Sequence, residues 1–244
     1  MTFEVVTNDR IRIVLDVYQH VGQQQAVVIC PGFFQSKETA TFQRLSRALA
    51  QDRDVLAMDF RGHGRSGGLY TFSAREGADL EAVLQWARPR YAAIDVLAFS
   101  LGAAIAINTL SRDRAQIRSL VAVSAPSSFD EIEFKFWTPE AIRTGLQGTE
   151  PGSGCRPGHV FLQKTRPIDS IRTLEGLPTL LIHGTRDMIV GVQHSHRLHA
   201  AAPFAQLQVI EGGSHAEALF RDAPDAFHQR VTNWWRAVDP ARAH

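Results

Sequence analysis

Short apolar runs alternate along most of this chain with segments in which apolar residues recur at helical spacing. The apolar runs that we predict as strands cover residues 2–7, 11–17, 25–30, 54–60, 91–99, 120–124, 178–183 and 206–210. The predicted helices cover residues 40–50, 73–88, 101–110, 192–201 and 216–237. Nearly continuous apolar strands are typical of a sheet covered on both faces, and helices between strands allow parallel connections. The pattern therefore predicts an α/β fold with a mostly parallel sheet.

The alternation is interrupted between residues 127 and 174. This stretch contains aromatic residues, several prolines and a glycine-rich patch at residues 152–158. Such a composition favours an insertion that lies over the sheet rather than a continuation of it. We therefore predict that residues 1–244 form a single domain, as α/β chains of roughly 200–250 residues often do. Residues 127–174 are predicted to form a small cap or lid within that domain.

The composition excludes several classes of protein. A formal net charge of +1 provides no electrostatic footprint for nucleic acid or for an anionic membrane. Cys30 and Cys155 lie far apart in the sequence, so neither a disulfide framework nor a zinc site is predicted. The first residues lack an apolar signal-peptide core, and the apolar stretch at residues 96–110 is shorter than a bilayer span of about 20 residues. We therefore expect a cytoplasmic protein without membrane insertion, and its oligomeric state stays open.

Ser100 stands at the junction between a predicted strand and a predicted helix. A sharp turn at such a junction needs small residues two positions before and after the serine, where Ala98 and Gly102 stand. The turn would raise the hydroxyl above the carboxyl edge of the sheet, and the N–H of Leu101 would point at the same space. Serine also caps helices, so this segment alone leaves a nucleophile and a helix cap as alternatives.

Two further residues supply what a serine nucleophile needs. His215 follows a predicted strand in a glycine-rich loop, where an imidazole could act as general base toward Ser100. Asp187 follows another strand and could orient that imidazole. Taken singly, the histidine could be an ordinary loop residue and the aspartate a turn or cap residue, and Asp130 is a rival acid after another strand. Three such residues beyond strand ends, in the order serine, aspartate, histidine, together favour a catalytic triad.

Three motifs carry a resemblance to a known family. Residues 30–38 match a His-Gly-Phe-x-x-Ser oxyanion loop, and residues 59–66 match an Asp-x-Arg-Gly-His-Gly-x-Ser segment. The third motif is the set of Ser100, Asp187 and His215. On these motifs the sequence resembles the α/β-hydrolase superfamily, and within it the branch of esterases, monoacylglycerol lipases and serine aminopeptidases. The resemblance covers nearly the whole chain and implies the α/β-hydrolase fold, with about eight strands, helices on both faces and a small cap insertion.

The resemblance also implies an oxyanion hole. It assigns this role to the backbone N–H groups of Phe33 and Leu101. The sequence departs from the family pattern at two positions. Pro31 stands where histidine is usual and has no N–H to donate, and Ala98 replaces the first glycine of the serine turn. Alanine is still small, so we expect the turn to form at some cost in strain.

Several other histidines are better explained by structural roles than by catalysis or metal binding. His63 lies between two glycines, which favours a structural role in a turn near the site. His194, His196 and His199 fall on one predicted helix, but only the last two share a face. We therefore predict a solvated helix there and no metal site.

Aromatic residues offer an apolar wall for a substrate. The substrate-binding candidates are Phe34, Phe129, Phe134, Phe136 and Trp137. Those within residues 127–174 could equally pack the insertion onto the core.

The expected function is that of a carboxylesterase-like serine hydrolase. We expect it to cleave small-molecule esters with short or medium acyl chains through an acyl-enzyme on Ser100, without metal or other cofactor. Cleavage of a thioester or amide is one alternative. A non-hydrolytic small-molecule-binding protein on the same fold is another, because a fold does not by itself determine a function.

Overall fold

The computed structural model describes residues 1–20, 24–129, 150–159 and 161–239. The strands within these ranges are β1 (Thr2–Val6), β2 (Arg12–Tyr18), β3 (Gln25–Cys30), β4 (Asp54–Met58), β5 (Ala93–Phe99), β6 (Ile117–Val123), β7 (Thr179–Gly184) and β8 (Gln206–Ile210). The helices are α1 (Ala40–Leu49), α2 (Gly77–Ala87), α3 (Leu101–Leu110), α4 (Pro167–Ser170), α5 (Gln193–Ala201), α6 (Ala218–Asp222) and α7 (Pro224–Ala237), with a 3₁₀ helix at Ile171–Leu174. None of the helices in these ranges has both the length and the apolarity needed to cross a bilayer.

All eight strands form one sheet in the order β1-β2-β4-β3-β5-β6-β7-β8. β2 is antiparallel to both of its neighbours, and the remaining neighbouring pairs are parallel. The helices explain the parallel pairs, because each helical crossover returns the chain to the edge from which the previous strand began. The predicted mostly parallel, eight-stranded sheet is confirmed.

Each face of the sheet is covered by helices. Val96 of β5 belongs to the core cluster beneath α2 and α3, whereas its neighbour Leu97 belongs to the cluster beneath α1 and α7. Phe42 of α1 and Trp235 of α7 are fully buried in that second cluster. Because successive strand residues point to opposite faces, a strand buried on both faces is apolar at consecutive positions.

Two helix boundaries differ from the prediction for reasons of backbone conformation. The predicted terminal helix is divided into α6 and α7 at Ala223, whose φ of −144° and ψ of 69° are not helical. Pro224 then begins α7, since a first-turn residue needs no N–H partner. α2 begins at Gly77 and not at residue 73, because Phe72 and Ser73 have positive φ angles of 54° and 79°.

The predicted cap at residues 127–174 is described in part. Residues 130–149 and residue 160 lie outside the described residues. Toward the end of the predicted cap, α4 and the 3₁₀ helix lead into β7, and Ile171 and Leu174 are buried in the core cluster beneath α2 and α3. The last part of the predicted insertion therefore packs with the main core.

Residues 150–158 run against the loops that follow β3 and β4, and we call them the return strap. The hydroxyl of Ser36, in the loop after β3, donates to Gly152 O at 2.9 Å. The N–H of Arg156 donates to Gly62 O, in the loop after β4, at 2.7 Å. The return strap thus bridges the two loops that carry the first two sequence motifs.

Asp95 lies near the amino end of β5, at the opposite end of the strand from Ser100. Its fully buried carboxylate accepts hydrogen bonds from Arg53 at 2.7 Å, from Ser119 Oγ at 2.6 Å and from Arg118 Nε at 3.1 Å. Both arginine side chains are also largely buried. Removing one member of a buried ion pair leaves the other charge uncompensated, which destabilises a protein far more than loss of an exposed pair.

We expect Asp95→Ala to lower the free energy of unfolding by about 3–5 kcal/mol, because Arg53 loses its buried carboxylate partner and Arg118 is left with its ion pair to Asp239. Glu4→Ala is the matched control. It removes the carboxylate of an exposed pair with Arg12 and should lower stability by less than about 1 kcal/mol. Urea denaturation followed by circular dichroism measures both changes. An Asp95→Ala protein with the unfolding midpoint of the wild type would contradict this expectation.

Candidate active site

Ser100 occupies a strained turn between β5 and α3. Its φ of 51° and ψ of −122° lie outside the ordinary regions for an L-residue, and its N–H donates to Val123 O of β6 at 2.8 Å. A Cβ on Gly102 would lie 2.3 Å from Pro31 O, so only glycine allows α3 to approach the loop after β3 this closely. Ala98 is fully buried two residues before the serine, and the turn forms with alanine there.

His215 reaches Ser100 from the loop after β8. Its Nε2 lies 2.9 Å from Ser100 Oγ, and its Nδ1 lies 2.7 and 2.9 Å from the two carboxylate oxygens of Asp187. The N–H of Ala216 donates to Ser124 Oγ at 3.0 Å, which ties this loop to the residue after β6. The structure therefore brings the three candidate residues into one hydrogen-bonded chain, from hydroxyl through imidazole to carboxylate.

Asp187 is held in the loop after β7 by more than the imidazole of His215. Its Oδ1 accepts hydrogen bonds from the backbone N–H groups of Ile189 at 3.0 Å and Val190 at 2.8 Å. His183, which is fully buried at the end of β7, has its Nε2 2.7 Å from Val190 O and 3.2 Å from Asp187 Oδ2. His183 therefore stabilises the turn whose backbone N–H groups, those of Ile189 and Val190, bind the Asp187 carboxylate. No role was predicted for His183, because its partner Val190 O is a backbone atom of a loop.

Charge and burial shift the pKa values of Asp187 and His215 in opposite directions. Burial alone would raise the pKa of Asp187, but the charge of His215 and hydrogen bonds from His183 and His215 hold it well below the ordinary value. Burial alone would lower the pKa of His215, but the Asp187 carboxylate raises it above the ordinary value through its charge and its hydrogen bond. The ionised carboxylate thus stabilises a proton on the imidazole.

The two predicted oxyanion donors flank Ser100. Leu101 is the first residue of α3, where backbone N–H groups have no acceptor within the helix. Phe33 follows Gly32, and a Cβ on that glycine would lie 3.1 Å from Ser100 Cβ. Both backbone segments therefore lie beside the serine, while their role in holding an oxyanion stays a prediction.

The aromatic substrate-binding candidates are only partly described. Phe34 is 40% exposed in the loop after β3, and Phe129 packs, partly buried, against the core. Phe134, Phe136 and Trp137 lie outside the described residues.

An aromatic cluster that the sequence analysis did not assign supports the loop after β3. The ring of Phe33 stacks on that of Tyr70 with 5.7 Å between centroids, and it lies 4.9 Å from the ring of Phe72. The ring of His63 meets the buried Tyr70 ring edge-on at 4.5 Å. Tyr70 and Phe72 stand in a loop without periodicity, so no pattern in the sequence indicated them.

The described residues contain no group of three or more His, Cys, Asp or Glu side chains that could hold a metal ion. His63 is buried in the turn after β4. The prediction of a solvated helix is wrong for His194, which is buried because it shares a face of α5 with the buried Leu198. His196 is exposed and His199 is half-buried.

A protein-family comparison covers most of the chain. Residues 27–230 match the model of the alpha/beta hydrolase family. The match extends from β3 into α7 and includes the loops that carry Phe33, Ser100, Asp187 and His215. The protein therefore belongs to the alpha/beta hydrolase family, which confirms the resemblance found in its sequence motifs.

Solved structures of esterases share this fold. The chain is similar to the esterase Pf2001 of Pyrococcus furiosus, at 24% sequence identity and a TM-score of 0.77, over 97% of this chain and 91% of that chain. It is also similar to the esterase RhEst1 of Rhodococcus sp. ECU1013, at 21% identity and a TM-score of 0.80, over 98% of this chain and 99% of that chain. At these identities the likeness establishes the fold alone.

A curated relative matches a shorter part of the chain. An uncharacterized protein of Mycobacterium tuberculosis is 34% identical over 79 residues. The match covers 32% of this chain and 23% of that protein, so most of the relative lies outside it.

We expect the imidazole of His215 to titrate above the ordinary histidine pKa of about 6.5, because the Asp187 carboxylate favours its protonated form. In Asp187→Asn the stabilising charge is absent while burial remains, so the pKa should fall below that of the wild type. Asp130→Asn tests the rival acid and should leave the imidazole pKa unchanged. NMR titration of isotope-labelled histidine side chains measures these values. A larger downward shift in Asp130→Asn would transfer the role to that residue.

Proposed function

We propose that the protein is a carboxylesterase-like serine hydrolase that acts through an acyl-enzyme on Ser100. The hydrogen-bonded chain from Ser100 Oγ through His215 to Asp187 carries this proposal. A neutral imidazole 2.9 Å from a hydroxyl can take its proton as the oxygen attacks a carbonyl carbon. The raised pKa of His215 suits that step, because the imidazole must hold the proton while the tetrahedral intermediate exists.

In the proposed reaction, Ser100 Oγ attacks the ester carbonyl while His215 takes the hydroxyl proton. The N–H groups of Phe33 and Leu101 hold the oxyanion of the tetrahedral intermediate. His215 then gives its proton to the leaving alcohol, the bond between the acyl carbon and the alcohol oxygen breaks, and the acyl-enzyme remains. Water then attacks the acyl carbon while His215 takes its proton. The bond between the acyl carbon and Ser100 Oγ breaks as His215 returns that proton to Oγ, which releases the acid and the free serine. No metal ion or organic cofactor takes part.

Asp187 is the proposed orienting acid of this reaction. Its carboxylate fixes the imidazole with Nδ1 toward the acid and Nε2 toward Ser100. Two backbone amides also bind the carboxylate, so it stays in place as the imidazole gains and loses a proton. This arrangement supports Asp187 as the acid of the proposed triad.

We further propose that residues 127–174 form a small cap of a single-domain enzyme, in which the part before α4 roofs the acyl pocket. The return strap supports this proposal because it lies against the loop that carries Phe33 and Phe34. The proposed apolar wall comprises Phe34, Phe129, Phe134, Phe136 and Trp137. A cap of this length can roof a pocket but is too short for a broad interfacial lid, which favours short or medium acyl chains.

Small-molecule esters are the proposed substrates, and the cytoplasm is the proposed location. The similarity to two structures described as esterases supports ester cleavage over cleavage of thioesters or amides. Cys30 and Cys155 are both free thiols, which suits a reducing compartment.

Ser100→Ala should lower ester hydrolysis by a factor of about 10³–10⁶ and leave the fold intact, because the hydroxyl is the attacking group. A fluorophosphonate probe should label the wild type and not the variant, with mass spectrometry locating the label. Ser170→Ala is the control, since Ser170 and Ser100 are both 7% exposed. Substantial turnover by Ser100→Ala would identify another nucleophile. A wild-type protein that is neither labelled nor active would instead favour the non-hydrolytic binding protein.

Across p-nitrophenyl esters from acetate to palmitate, kcat/KM should be highest for the short and medium chains. The aromatic wall favours an acyl chain, and the proposed small cap limits its length. Matched thioesters and aminoacyl anilides should be poorer substrates, and activity should fall in acid as His215 becomes protonated. A preference for palmitate or for the anilides would disprove the substrate class without bearing on the triad.

A further inference from the structure

The backbone of Phe34 is held on both sides. Phe34 follows the proposed oxyanion donor Phe33 and has a φ of 67°, a left-handed conformation that is strained for a residue with a side chain. Its N–H donates to His63 Nε2 at 3.1 Å, and its carbonyl accepts from the N–H of Gly154 in the return strap at 2.9 Å. These two hydrogen bonds fix the chain directly after the peptide that presents the Phe33 N–H.

His63 accepts its hydrogen bond as a neutral imidazole. Its Nδ1 lies 3.2 Å from Arg61 O, and a carbonyl can only accept, so the ring proton is on Nδ1 and Nε2 carries the lone pair. The residue is 1% exposed. The pKa of His63 is lowered to about 4, chiefly by burial. The charge of Arg156 also lowers this pKa, whereas the hydrogen bond to Arg61 O raises it. The imidazole is therefore neutral throughout the pH range in which His215 can act as a base.

The turn that carries His63 packs closely against neighbouring backbone. Gly62 has a φ of 76°, and a Cβ there would lie 2.5 Å from Tyr70 N and 2.8 Å from Arg156 O. Only glycine therefore lets this turn pack so closely against the neighbouring backbone. Arg156 belongs to the return strap, so the same strap supports both hydrogen bonds to the oxyanion loop.

We propose that His63 is a positioning residue of the oxyanion hole. Its neutral imidazole fixes the peptide after Phe33 and thereby aims the Phe33 N–H at the oxyanion. This inference rests on the proposed function, since it assigns a role within the same site. Donors that are already oriented stabilise a transition state most, because nothing must rearrange as charge develops. A loosened loop should therefore lower kcat more than it raises KM.

Two variants separate the hydrogen bond from packing. His63→Phe keeps a ring against Tyr70 but removes the acceptor, whereas His63→Gln can place an amide oxygen near the position of Nε2. We expect His63→Phe to lower kcat about 5- to 20-fold on the best p-nitrophenyl ester, with KM changed by less than about twofold. It should weaken binding of a trifluoromethyl ketone with the same acyl chain by a similar factor, because the tetrahedral adduct places an oxyanion in the hole. His63→Gln should keep at least about a third of the wild-type kcat.

His199→Phe is the matched control. It removes an imidazole whose Nδ1 lies 2.8 Å from Ala205 O, before the start of β8 and away from the oxyanion loop. It should leave kcat, KM and inhibitor affinity unchanged. Equal losses of kcat in His63→Phe and His63→Gln, or a loss confined to KM, would overturn the inference.

A measurement that does not depend on catalysis separates this inference from the proposed function. Hydrogen–deuterium exchange of the peptide containing Phe33 and Phe34 should be faster in His63→Phe than in the wild type or in His63→Gln. A wild-type protein without esterase activity or phosphonate labelling would defeat the proposed function, while faster exchange would still support His63 as the residue that fixes the loop. Unchanged exchange in His63→Phe would overturn the inference and leave the proposed function untouched.

Discussion

The left-handed turn at Ser100 is the constraint on which the rest of the site depends. The turn brings the start of α3 so close to the loop after β3 that Gly102 has no room for a side chain beside Pro31. The same close approach of the two segments places Gly32 directly beside Ser100. The hydroxyl, the first amide of α3 and the loop with Phe33 therefore occupy one small volume. A strained backbone persists only where its surroundings determine it fully, and here the central strands and α3 supply that support.

Much of the fold could be predicted because its strands are buried on both faces. The predicted strand at residues 25–30 coincides with β3, since continuous burial produces a continuous apolar run. The break at Ala223 was missed because apolar residues keep their helical spacing across it. Pro224, which cannot continue a helix from the preceding turn, was the signal that the spacing hid. The burial of His194 was missed because its helix, α5, has one large apolar residue, Leu198, and a single position marks the inward face only weakly.

The residues of the candidate site that follow strand ends, Ser100, Asp187 and His215, could be predicted from the sequence. The carboxyl ends of parallel strands meet at one edge of a sheet, so residues distant in sequence become neighbours there. His183 was missed, and His63 was predicted only as a turn residue near the site, because their main partners are backbone atoms of loops, Val190 O and the N–H of Phe34. Each is a buried ring with both nitrogens engaged, one beside Asp187 and one beside the backbone of Phe34. Rigid histidine braces of this kind depend on loop conformation, which no spacing of residue types encodes.

The first residue of the return strap is fixed by hydrogen bonds near the site. Glu150 accepts a hydrogen bond from the N–H of Thr41 at 2.7 Å and another from its hydroxyl, before the strap reaches the oxyanion loop. The stretch between Phe129 and Glu150 therefore ends at a fixed anchor, the hydrogen bonds between Glu150 and Thr41. A change in the length or sequence of that stretch therefore need not move Ser100, Asp187 or His215, since the anchor at Thr41 separates it from the loops that hold them.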